Sequence, residues 1–71
     1  MPSGWKKRRN EKNWVVYDKS GQNSFEEVEV INYGDSNWKV VIDDHKGERE
    51  VKTFQSKPQA MAFARSYMRN H

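Results

Sequence analysis

The stretch Ser56–Asn70, SKPQAMAFARSYMRN, decides the fold. Its first four residues are a helix start. The Ser56 hydroxyl is placed to accept from the Gln59 N–H, and the Gln59 side chain to reach back to the Ser56 N–H. Pro58 falls in the first turn, where a missing N–H costs nothing. Ala60, Phe63, Ala64, Tyr67 and Met68 then recur at helical spacing and make one apolar stripe. Arg65 and Arg69 follow in the second half, where cations complement the helix dipole. A single stripe of this kind must be buried against another layer, and the residues upstream supply one.

Upstream of the helix, the pattern changes from helical to alternating. Glu48–Phe54 is a charged strand with few apolar residues, as suits a sheet edge. Asp44–Gly47 is a turn, with Gly47 at the position that calls for a positive φ. Trp38–Asp43 puts Trp38, Val40 and Ile42 on one face and Lys39, Val41 and Asp43 on the other. Gly34–Asn37 reads as a hairpin loop. Phe25–Tyr33 alternates over Glu27–Val30, and Ile31 then breaks the alternation through a bulge or through burial on both sides. Lys19–Ser24 is a turn-rich loop, and Trp14–Asp18 is a short β-branched and aromatic strand. The fold class expected is α+β: an antiparallel three- to four-stranded β-meander packed on one face by a single C-terminal helix. Trp38, Val40, Ile42, Val28, Val30 and Val51 are the expected floor beneath that helix. Val15, Tyr17 and Val41 are expected on the opposite face, where an apolar patch would suit a partner.

Residues 1–13 show no apolar periodicity. They contain Pro2, Gly4 and the run Lys6-Lys7-Arg8-Arg9, so they read as a flexible basic arm preceding a single domain over 14–71. Charge follows the same division. Residues 1–12 hold five basic side chains and one acidic one, a net +4, whereas residues 13–71 hold eight basic and nine acidic, a net −1. Trp5 stands out in the arm, either folding back onto the body or serving a partner.

The 71 residues allow one domain, and only 34% of them are hydrophobic, so the nine aromatics must carry much of the core. There is no cysteine, which excludes disulfides and thiolate metal sites. Two distant histidines do not make a zinc site. No apolar run approaches a membrane span and no signal peptide opens the chain, so the expected address is cytoplasmic, with no membrane partner.

No catalytic constellation is present. Asp43 and Asp44 beside His45 invite an acid–base reading, but they fall in a turn beside Gly47, where polar residues are the ordinary chemistry. Glu26, Glu27 and Glu29 fit a solvated strand face. Glycine-rich phosphate loops and nucleophile elbows are both missing. Neither an enzyme, a cofactor nor a small-molecule substrate is expected.

The second half contains Trp38-Lys39-Val40-Val41-Ile42, Gly47, Phe54-Gln55-Ser56-Lys57, Ala60 and Ala64. Over residues 37–69 this resembles the small β-β-β-α DNA-binding domains at the N-termini of tyrosine integrases, which are akin to the plant ethylene-response-factor domain. It is also similar to small archaeal and bacterial sheet-plus-helix domains of unknown function. The resemblance implies that the sheet face away from the helix meets the DNA major groove. That face would carry Lys39, Val41 and Asp43, with Arg49 or Lys52 on the next strand according to register. Asp43, Asp44, Glu48 and Glu50 add negative charge there, so the arm is the stronger expected contact.

The function expected is therefore a small nucleic-acid-binding protein. Trp5, Lys6, Lys7, Arg8, Arg9 and Lys12 would come from the arm, and Lys39, Arg49 and Lys52 from the sheet, acting on DNA or RNA. The alternative is a protein-interaction or accessory module, including a homodimer formed through the open sheet face.

Overall fold

The computed structural model describes residues 4–20, 25–44 and 46–70. Five strands form one antiparallel sheet in the order β1-β2-β3-β4-β5. They are β1 (Lys6–Glu11), β2 (Trp14–Ser20), β3 (Phe25–Asn32), β4 (Trp38–Asp43) and β5 (Arg49–Phe54), followed by the helix α1 (Lys57–Asn70). The α+β meander with one C-terminal helix agrees with the sequence reading. The number of strands does not, because Lys6–Glu11, expected in the arm, is an edge strand paired with β2.

All six residues of β1 are exposed, so no apolar alternation marks it as a strand. Backbone pairing, cross-strand side-chain contacts and Trp5 hold it instead. Arg8 bonds Asp18 at 2.7 Å, the Lys7 ammonium lies 5.6 Å from the Tyr17 ring centre, and the Arg9 guanidinium lies 4.0 Å from that of Trp14. The register shifts by one residue between Lys7 and Arg9, a bulge that bends this edge. Charge on β1 and again on β5 blunts both edges against pairing with another chain.

Trp5 is 3% exposed and belongs to the core. Gly4, at φ 86°, turns the chain just before it, and its ring meets Tyr67 edge-on at 6.2 Å. The helix packs on β3, β4 and β5. Trp5 extends that cover toward Val15 and Tyr17 on β2.

The cap and stripe of α1 form as the sequence suggests, with one change of partner. The Gln59 N–H donates to Ser56 Oγ at 3.4 Å, but the Gln59 side-chain oxygen accepts from the Gln55 N–H rather than from Ser56. Ala60, Ala64 and Met68 are buried, while Phe63 and Tyr67 pack against the core from its margin. The Lys57 ammonium donates to the Lys12 carbonyl at 2.9 Å and so ties the helix start to the β1–β2 turn.

Register corrects the expected faces. Val15 and Tyr17 oppose Val30 and Val28, which puts them under the helix and not on the open face. Val16 is the β2 residue that shares the open face with Glu29, Val41 and Val51. Val51 is 49% exposed, so it is not part of the floor. Ile31 neither bulges nor leaves the alternation. Pairing is continuous through it, and it sits on the open face between Trp14 and Lys39.

Candidate nucleic-acid interface

The open face is built as three rows that run across the sheet. The first holds Lys6, Asp18, Glu27, Asp43 and Arg49, with Arg8 reaching in from the β1 bulge. The second holds Arg9, Val16, Glu29, Val41 and Val51, and the third Glu11, Trp14, Ile31, Lys39 and Thr53.

The first row alternates charge only at its ends. Arg8 bonds Asp18, and Arg49 bonds Asp43 through Nε at 2.7 Å. Glu27 stands between the two aspartates. Burial, followed by Glu29, Asp43 and Asp18, pushes its carboxyl above the usual range, and Arg49 only partly offsets this. A phosphate approaching the centre of this row meets three adjacent carboxylates, and Arg8 and Arg49 beside them are already engaged.

The other end has a different character. Trp14 is 38% exposed, its indole N–H donates to Glu29 at 2.9 Å, and Arg9 covers its ring. Tyr33 is 59% exposed, with the Lys39 ammonium 5.8 Å from its ring centre. Neither aromatic stands out as a surface residue in the sequence, because each borders an apolar run. The signals that mark them are Trp14 closing the hairpin that follows the basic run and Tyr33 preceding Gly34.

The basic residues expected from sequence are divided between these places. Lys6, Lys7, Arg8, Arg9 and Lys12 line the β1 edge and its turn. Lys39 and Arg49 lie on the open face, and register resolves the choice between Arg49 and Lys52. Lys52 opposes Val40, so it stands on the helix side, 3.5 Å from Glu50. Trp5 is enclosed in the core with its indole N–H unpartnered among the described residues, so it offers no surface for stacking.

Asp44 is a turn residue. Its carboxylate accepts from the Lys46 and Glu48 N–H groups, both at 2.9 Å, and Gly47 takes φ 82°. His45 lies outside the described residues. Between Tyr67 and the β4–β5 turn is an open recess of about 650 Å³, whose walls mix Asp44, Glu48 and Glu50 with Lys46 and Arg49. Tyr67 donates to Glu26 at 3.3 Å. Its hydroxyl is pushed up to about 12 by burial and by that carboxylate. No group of three or more potential ligands stands in position to hold a metal among the described residues. No helix among them is long and apolar enough to cross a membrane. Comparison of the chain with family models, curated proteins and solved structures finds no match.

Proposed function

We propose that this is a small non-enzymatic nucleic-acid-binding protein whose basic edge strand and turn contact phosphates, with the sheet as scaffold. One observation carries the reading. Five cations, Lys6, Lys7, Arg8, Arg9 and Lys12, lie along a single exposed edge with only Glu11 among them, on a body that is otherwise slightly acidic.

A strand rises about 3.3 Å per residue, so these cations span roughly 20 Å and are spaced by the backbone. An unstructured arm would lose conformational freedom on binding, and a strand already in the sheet has lost most of it. Arg8 is engaged with Asp18 and Arg9 with Glu11. Lys6, Lys7 and Lys12 have no acidic partner among the described residues and supply most of the available charge.

The test is substitution, because deleting residues 1–12 would remove a strand and a core tryptophan along with the charge. Fluorescence anisotropy with a labelled oligonucleotide at low salt compares the wild type with the triple variant Lys6→Glu, Lys7→Glu, Lys12→Glu. A loss of affinity of tenfold or more is expected, and equal affinities would refute the reading.

A second reading draws on Val51, whose exposure beside Val41 leaves apolar surface that a second copy would cover. Sedimentation that shifts from monomer to dimer with concentration would favour it, and a constant monomer would remove it.

A further inference from the structure

The aromatic end of the open face has a composition that phosphate contact does not use. Trp14 begins β2, and Tyr33 follows the last residue of β3. Trp14 opposes Ile31, and Tyr33 lies two residues further along the same chain, which returns it to the same face. Lys39, which opposes Ile31, lies against the Tyr33 ring and so marks that ring as part of the open face. Each ring has its own cation, Arg9 for Trp14 and Lys39 for Tyr33, and Lys12 stands in the adjoining turn.

Two exposed rings on one end of the face, each beside a cation, match the needs of a polynucleotide whose bases are free to stack. A duplex keeps its base faces inside and presents only phosphates and groove edges. The carboxylates of Asp18, Glu27 and Asp43 cluster at the opposite end, whereas those at the Trp14–Lys39 end, Glu29 and Glu11, are engaged by the Trp14 indole and by Arg9.

We propose that the corner formed by Trp14, Tyr33, Arg9 and Lys39 binds single-stranded nucleic acid by stacking successive bases on the two rings. This rests on the nucleic-acid reading above and narrows its ligand to one class. A base arriving at Trp14 takes the place of Arg9 over the ring, and the displaced guanidinium reaches the neighbouring phosphate. Lys39 plays the corresponding part at Tyr33. The Glu29 carboxylate holds the indole through its N–H and fixes the plane on which the first base lies.

The full-length chain is titrated against three fluorescein-labelled probes: a thymidine 12-mer, a uridine 12-mer and a 12-base-pair duplex. The proteins are the wild type, Trp14→Ala, Tyr33→Ala and the conservative Trp14→Phe, each checked for folding by circular dichroism. The wild type is expected to bind a single strand at least about tenfold more tightly than the duplex, and whichever 12-mer binds tighter identifies DNA or RNA as the source. Each alanine variant should lose about 5- to 100-fold on the single strand, as expected for removal of one base–aromatic stack. Trp14→Phe should keep most of the affinity, and duplex binding should not change. Duplex binding as tight as single-strand binding, or alanine variants within twofold of wild type, overturns the stacking proposal and leaves phosphate contact standing. Failure of the wild type to bind any of the three probes overturns both.

Discussion

Replacing Trp5 by alanine should remove a large part of the stability of this domain. The side chain is 3% exposed and closes the β2 side of the core against Tyr67. A buried tryptophan hides on the order of 150–250 Å². At about 25 cal/mol per Å² that corresponds to roughly 4–6 kcal/mol as an upper bound. Tryptophan-to-alanine changes in cores cost about 3–5 kcal/mol. A 71-residue chain at typical stability per residue has only roughly 4–10 kcal/mol in total. The variant should therefore be near its unfolding midpoint at room temperature in mild urea. Trp5→Phe should behave quite differently. It keeps an aromatic ring in place and removes the unpartnered indole N–H, which itself costs about 1–3 kcal/mol. Its stability should fall within about 1 kcal/mol of wild type, since lost area and relieved desolvation oppose each other. Urea unfolding followed by circular dichroism measures both variants. An alanine variant with the wild-type midpoint would refute the reasoning, because residues 5–11 would then not be folded onto the body.

Two further perturbations test other parts of the structure. Glu27 has a folded-state pKa raised by burial and by Glu29, Asp43 and Asp18, so the folded protein binds this proton more tightly than the unfolded chain. That stabilisation is complete below the unfolded pKa and is lost as pH rises through the folded one. Glu27→Gln should accordingly raise the melting temperature at pH 7, and the gain should vanish as pH falls below the carboxyl's ordinary value. A gain that persists in acid would remove the electrostatic explanation. Ser56→Ala removes the acceptor for the Gln59 N–H and should cost about 1 kcal/mol in urea unfolding, and an unchanged midpoint would show that the cap contributes nothing.

The helix was legible because several local signals agree over Ser56–Met68: cap, proline, stripe and terminal cations. Strands β3 and β4 were legible for a similar reason, since alternation places Val28, Val30, Val40 and Ile42 on one face. The edge strand β1 was hidden because nothing in Lys6–Glu11 is buried, and a period-2 signal exists only where one face is apolar. Its partners, Asp18, Tyr17 and Trp14, lie just across the Lys12–Asn13 turn, but that turn carries no glycine or proline to announce a hairpin. Trp14-Val15-Val16-Tyr17 is apolar at every position, so alternation cannot say which face is which, and only pairing with Val28 and Val30 decides it. Once that register is known, Trp14, whose face the sequence leaves open, falls on the exposed side of the sheet. Trp5, left between folding back onto the body and serving a partner, falls in the core. The basic run keeps its place in the functional reading but changes its physical state, from an arm that must order on binding to a strand held in the sheet.

The most direct test of nucleic-acid contact by this edge is the salt dependence of binding. Measured between 50 and 200 mM salt, the wild-type dissociation constant for an oligonucleotide should rise with a log–log slope of about 2–3, the value for the three lysines without acidic partners. In the variant carrying Lys6→Glu, Lys7→Glu and Lys12→Glu the slope should fall by about 2–3. Equal slopes in the two proteins, or wild-type binding that does not respond to salt, would contradict the account.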